Sequence, residues 1–117
     1  MSYPKENHLL QDNIGHNHLL INQVPFYRYH LDSFRARRYY FLRRNVTMSA
    51  LSQATVVVEA NERSGTLAQA RAALAQKRKL FILNSCFENP SLRWPHYYEQ
   101  QGAIRVKKLD DILKHFR

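Results

Sequence analysis

Three short clusters hold the side chains in this chain that could do chemistry: Arg43-Arg44-Asn45, the carboxylate Glu59, and the turn Ser64-Gly65-Thr66. A guanidinium presents a planar fork of donors that matches a phosphate group. A Ser-Gly-Thr turn that opens a helix offers backbone N–H groups, and the positive end of the helix dipole, to an anion. Together they suggest a pocket for a phosphate-bearing ligand. Glu59 fits that pocket less simply, because a strand-end carboxylate beside a helix N-terminus is as easily structural as functional.

The elements that must position these groups lie between Arg43 and Ala73, which reads as a helix end, a strand, a turn and a second helix. The segment Ala54-Thr55-Val56-Val57-Val58-Glu59 has four β-branched residues in a row and no polar alternation, as expected for a strand covered on both faces. A polar turn, Asn61 to Thr66, leads into an alanine-rich helix predicted over Thr66 to Lys77, with Leu67, Ala70 and Leu74 as its buried stripe. In parallel α/β sheets, the crevice at the strand C-termini is where ligands sit.

The preceding helix is predicted from Phe34 to Leu51, capped by Asp32 or Ser33. Phe34, Phe41 and Met48 recur every seven residues and so share one face, with Arg44 on or beside it. Arg44 has two readings: a snorkelling stem with its head in water, or a guanidinium aimed into the crevice. Arg35, Arg37, Arg38 and Arg43 spread around the other faces, interleaved with Tyr27, Tyr29, Tyr39 and Tyr40. Cations for a backbone and rings for stacking make up a single-strand binding surface; a solvated basic helix with core tyrosines has the same composition.

Elsewhere, Asn7 to Ile14 suits a short helix, and His16 and His18 read as a solvated turn because no third metal ligand is near. Leu19 to Val24 is expected to be a short strand stopped by Pro25, followed by an aromatic, basic loop from Phe26 to Leu31. Leu80 to Leu83 is the next strand and Asn84 to Pro90 a loop. Ser91 to Gln101 reads as a late-starting helix, since Pro95 fits only a first turn, and Gly102 ends it. Ala103 to Val106 is a last strand and Leu109 to Phe116 a terminal helix, with Asp110 and Asp111 placed structurally at its positive end. Strands alternating with helices predict an α/β fold with a mostly parallel sheet.

The chain has 117 residues, enough for one domain spanning 1–117. Its 18 Lys and Arg against 9 Asp and Glu give a net charge of +9, which points to a polyanionic partner, nucleic acid above all. One cysteine excludes an internal disulfide and suits a reducing compartment. The polar start is no signal peptide, and no apolar run approaches the roughly 18 residues of a membrane span. A cytoplasmic protein without metal, cofactor or membrane partner is the expectation.

The motifs resemble those of the DNA processing protein A family, also called DprA or Smf. Tyr3-Pro4 with Asn7 is similar to its YP-x-x-N step, and Leu19-Leu20-Ile21 to Pro25 to its LLxSExP strand, with Asn22 and Gln23 in place of Ser and Glu. Phe41-Leu42-Arg43-Arg44-Asn45 resembles F-P-x-R-N-R, with Leu42 replacing Pro and Val46 replacing the last Arg. Leu51-Ser52 through Ala60 resembles LS-x-x-x-VVEA, and Ser64-Gly65-Thr66-Leu67 resembles SG[ST]L. Asn89-Pro90, Gln101-Gly102-Ala103 and Asp110-Asp111-Ile112-Leu113 follow the C-terminal pattern. The resemblance implies a three-layer Rossmann-like partial domain with about four strands, lacking the family's upstream strands and glycine-rich loop. It implies a non-enzymatic protein that binds single-stranded DNA and delivers it to a RecA-type recombinase, as a homodimer, in recombination and natural transformation. It places Arg44 and Asn45 with Ser64-Gly65-Thr66 around an anion; Arg37, Arg38 and Arg43, from the basic helix, and Glu59, from the strand end, are the further candidate binding residues.

The related LOG-type phosphoribohydrolases offer an alternative, a nucleotide-binding sensor or hydrolase using the same crevice. They carry PGG-x-GT-x-x-E, whereas this chain has Asn61-Glu62-Arg63, then Gly65-Thr66, with Gln69 where their glutamate stands. An amide has no titratable proton and cannot replace a general acid/base carboxylate.

Overall fold

The computed structural model describes residues 5–21, 23 and 33–117, in two compact units, 1–32 and 33–117. In the first unit a 3-10 turn, Lys5–Asn7, leads into α1, His8–Asn17, and neither has a buried residue. Polar contacts one turn apart hold α1: His8 Nε2 lies 3.2 Å from Asp12 Oδ2, and His16 Nδ1 lies 2.7 Å from the Asp12 carbonyl. Leu19, Leu20 and Ile21, expected as a strand, are exposed and belong to no strand. A β-prone run needs a neighbouring strand to satisfy its backbone, and none pairs with it among the described residues. Asn22, Val24, the 26–31 loop with Tyr27 and Tyr29, and the alternative cap Asp32 lie outside the described residues.

The second unit runs α2 (Phe34–Leu51), β1 (Ala54–Val57), α3 (Thr66–Ala75), β2 (Lys79–Leu83), α4 (Asn84–Glu88), α5 (Trp94–Gln100), β3 (Ile104–Val106), α6 (Leu109–Leu113) and a 3-10 turn, Lys114–Phe116. It is a Rossmann-like α/β arrangement whose sheet, among the described residues, has three parallel strands in the order β1-β2-β3, one fewer than expected. The register sets Thr55 beside Leu80 and Val57 beside Ile82 on one face, and Val56 beside Phe81 and Phe81 beside Ile104 on the other.

The first face carries the core. Val57, Leu80 and Ile82 pack with Leu67, Ala70 and Ala73 of α3, Cys86 and Phe87 of α4, and Trp94 and Tyr98 of α5. Alanines on α3 bring its backbone close to the sheet, as the sequence suggested. On the second face Phe81 is shielded by His115 and Phe116, with ring centroids at 5.4 and 6.2 Å. That cover does not reach the edge: Val56 is 45% exposed and Val58 61%. The expectation that β1 is covered on both faces is therefore corrected. Among the described residues it is an edge strand with one clothed face.

Two helices end in the same backbone device. After α3, Arg78 N–H bonds to Ala73 O at 2.8 Å and Lys77 N–H to Leu74 O at 3.1 Å. After α5, Ala103 N–H bonds to Tyr98 O at 2.9 Å and Gly102 N–H to Glu99 O at 3.1 Å. Both are Schellman motifs, which need positive φ at the turning residue. Gly102 supplies φ +113°, as predicted, and Lys77 takes φ +57° with a side chain. Pro95 sits in the first turn of α5, where its missing N–H leaves no helical bond unmade.

The segment read as a loop at Asn84–Pro90 begins instead with the helix α4. At five residues it is too short to show a periodicity, and its amphipathic residues Cys86 and Phe87 are the two that reach the core.

Candidate nucleic-acid interface

Ser33 caps α2, its Oγ accepting the Ala36 N–H at 3.3 Å. Over its 18 residues α2 buries only Ser49. The side shared by Phe34, Phe41 and Met48 lies in solvent: Phe34 is 82% exposed, Phe41 45% and Met48 47%. The helix packs on α3, whose surface is alanine, so small residues make the approach. Asn45, Ser49 and Ser52 share that side at helical spacing. Polar links reinforce the pairing, with Gln76 Nε2 donating to Val46 O at 3.2 Å and Arg78 Nη2 to Ala50 O at 2.9 Å.

With that side turned inward, a basic and aromatic side is left in solvent. Arg38, Tyr39, Phe41, Leu42, Arg43 and Arg44 are all exposed. The Arg43 guanidinium lies 5.9 Å from the Tyr39 ring centre and that of Arg44 5.2 Å from the Phe41 ring centre. Each cation thus lies over a ring from the preceding turn of the same helix, an attractive arrangement in water. Arg37 is half-buried.

Asn45 is the residue that joins α2 to the turn before α3, its Nδ2 donating to Gly65 O at 3.1 Å. Ser64 Oγ accepts the Thr66 N–H at 3.2 Å, while Leu67 and Ala68 N–H bond to the carbonyls of Ser64 and Gly65 at 3.1 and 3.0 Å. The first amides of α3 are therefore already engaged within the turn. Gly65 has ordinary helical φ, and a Cβ there would meet Asn45 Nδ2 at 3.8 Å, a normal contact, so its backbone does not require glycine. The structure brings Asn45 together with Ser64, Gly65 and Thr66. It lays Arg44 on Phe41 at the outer side of α2.

Glu59 shares a concavity with Ser64. A cleft of about 630 Å³ opens where β1 and β2 end, lined by Val58, Glu59, Ala60, Asn61, Ser64, Ser85, Cys86, Asn89 and Leu92. It is the crevice that parallel topology predicts, yet among the described residues no basic side chain lines it. Cys86 Sγ donates to Val58 O at 3.3 Å. Burial pushes its thiol above the usual cysteine range, and the Glu59 carboxylate adds to the rise. The Asn61 and Asn89 side-chain oxygens cap their own turns, accepting N–H groups of Arg63 and Ser91 at 2.9 and 3.0 Å. Sequence reasoning missed Ser85, Asn89 and Leu92; the Asn-Pro step was visible, but only the crossover brings it beside β1.

Gln69, at the position of the hydrolase glutamate, donates to Thr55 Oγ1 at 3.4 Å and is half-buried. No group of three or more metal-ligating side chains occurs among the described residues, and no described helix is long and apolar enough to cross a membrane.

A family model described as "DNA recombination-mediator protein A" matches residues 1–117. The chain is 44% identical to Protein Smf of Escherichia coli over 79 residues, 68% of this chain and 21% of that protein. It is 31% identical to DNA processing protein DprA of Bacillus subtilis over 112 residues, 96% of this chain and 36% of that one. The X-ray structure of DNA processing protein A from Streptococcus pneumoniae superposes with a TM-score of 0.67 at 27% identity, covering 97% of this chain and 38% of the other. The chain thus spans roughly a fifth to two-fifths of the length of these relatives.

Proposed function

We propose that this chain, which belongs to the DNA recombination-mediator protein A family, binds single-stranded DNA along the exposed side of α2. The observation that carries the reading is the pair of ring-backed cations, Arg43 over Tyr39 and Arg44 over Phe41. Guanidinium groups neutralise successive phosphates, and the neighbouring rings offer faces on which unpaired bases stack without regard to sequence. The net charge of +9 attracts a polyanion at long range. Asn45 holds α2 against the turn at Gly65 and so fixes the direction of the stripe. By the same family reading the protein acts without catalysis, handing the strand to a RecA-type recombinase, and works in the cytoplasm as a homodimer. Among the described residues β1 is an edge strand, and its exposed Val56 and Val58 are consistent with association of copies.

Fluorescence anisotropy with a labelled oligonucleotide at two salt concentrations tests the proposal. Affinity falls steeply with salt, at about −0.7 in log–log slope per phosphate neutralised. Arg43→Ala and Arg44→Ala each weaken binding and flatten that slope, whereas Arg71→Ala, on α3, leaves both nearly unchanged. Equal effects from all three variants, or a salt-independent affinity, count against it.

The hydrolase alternative has weaker support. Gln69 is tied to Thr55 and carries no proton to transfer, and a nucleoside monophosphate incubated with the protein should release no free base.

A further inference from the structure

Helices α3 and α5 are anchored by apolar side chains: α3 buries Leu67, Ala70, Ala72 and Ala73, and α5 buries Trp94, Pro95 and Tyr98. The longer α2, of 18 residues, buries Ser49 alone. Removal of apolar surface from water is what chiefly holds a helix to its neighbours. We infer that α2 is a movable arm: it leaves α3 as a unit about Ser52 and Gln53 while the sheet stays folded, and carries Arg43 and Arg44 with it. Elements that move in function are drawn from the least stable part of a fold. An arm of this kind lets its cations follow a flexible ligand without disturbing the core.

The ties across the seam are polar and exposed. Among the described residues, Asn45 Nδ2 donates to Gly65 O, Gln76 Nε2 to Val46 O and Arg78 Nη2 to Ala50 O. Each can be traded for a bond to water at small net cost, which sets these links apart from buried apolar contact. The seam also holds groups that gain from opening. The Ser49 hydroxyl and the Gln76 side-chain oxygen are buried with no hydrogen-bond partner among the described residues. Lifting α2 gives both of them access to water. The C-terminal end of the arm is closed within itself: Ser52 N–H bonds to Ser49 O at 3.2 Å, and Ser52 Oγ donates to Met48 O at 2.7 Å. Only Ser52, in extended backbone, and Gln53 lie between α2 and β1.

Native-state hydrogen exchange on the full chain, in a urea series below the unfolding midpoint, tests the arm. The α2 amides exchange faster than those of β2 and respond weakly to urea, because little surface opens; the β2 amides respond steeply. Val106→Ala deletes buried methyl groups on β3, two strands from β1. It speeds β2 exchange and leaves α2 exchange unchanged. Arg78→Ala and Asn45→Ala each speed α2 exchange by about fivefold, the equilibrium factor of one net hydrogen bond. Asn45→Ala does so although alanine is the better helix former, so the loss is of docking and not of propensity. An α2 that shares the urea response of β2, or that accelerates with Val106→Ala, opens only when the whole domain unfolds, and the inference is overturned. Fast α2 exchange that neither Arg78→Ala nor Asn45→Ala changes is fraying within the helix, and overturns it too. Exchange is measured without nucleic acid, so either failure leaves the single-strand reading standing.

Discussion

Trp94 is tied twice to the segment that follows β1: its backbone N–H donates to Glu62 Oε1 at 3.3 Å, and its buried indole N–H donates to Ala60 O at 3.0 Å. The same Glu62 oxygen accepts the Arg93 N–H, so one carboxylate caps α5 from 32 residues upstream. A helix N-terminus attracts negative charge and needs acceptors for its first amides. Glu62 supplies both, and in doing so pins the turn that forms one wall of the cleft.

Glu62→Ala therefore lowers the unfolding free energy by about 1–2 kcal/mol, the usual cost of losing a cap. The measurement is urea denaturation followed by Trp94, the chain's single tryptophan. The midpoint falls with an unchanged slope. An unmoved midpoint would show that Glu62 is not a cap in solution.

The two Schellman turns make a paired prediction. Lys77→Gly removes the cost of a side chain at φ +57° and stabilises by about 0.5–1 kcal/mol. Gly102→Ala imposes that cost at φ +113° and destabilises by about 1–2 kcal/mol. Opposite signs of melting-point shift are the expected result; a Lys77→Gly variant that melts lower would contradict the geometry.

Ser49 is 1% exposed and its hydroxyl has no hydrogen-bond partner among the described residues. Ser49→Ala should hold or raise stability, by up to about 1 kcal/mol, because it removes a buried polar atom left unpaired. Ser49→Leu should lower it by about 1–3 kcal/mol, since a larger side chain forces α2 away from the alanines of α3. The second variant should also weaken strand binding, because the arginines ride on α2. Thermal melts and anisotropy read the two effects separately.

Asp111 Oδ2 accepts the N–H groups of Lys107 and Lys108 at 2.9 and 3.2 Å, and these bonds hold its carboxyl below the usual aspartate range. A lowered folded pKa means that the contribution is fully present above the ordinary aspartate value. It is lost as pH falls through the folded one. Asp111→Asn should destabilise at neutral pH, with the gap from the wild type closing as the medium is acidified below about pH 4. A gap that is constant with pH would show that the charge plays no part.

The sheet was legible because its signal is local. The β-branched run at Thr55–Val58 and the apolar Leu80–Leu83 announced β1 and β2, and Pro95 and Gly102 marked the ends of α5. The orientation of α2 was not, because it is set by its neighbour. Against a wall of alanine the snug partner is Ser49, and the larger Phe34, Phe41 and Met48 are left outside. Within the candidate site, the link between Asn45 and Gly65 joined motifs already singled out in the sequence. The cleft around Glu59 could not be read the same way, since Ser85, Asn89 and Leu92 reach it only through the crossover from β1 to β2.

Cys86 is the only cysteine, it is 4% exposed, and its sulfur lines the cleft while bonded to Val58 O. A thiol kept protonated and covered reacts slowly with alkylating reagents, and only when the β1 end opens. The wild-type protein thus carries its own chemical clock for that opening, with no label to engineer. A guest lodged in the cleft should slow alkylation, and unfolding should release it.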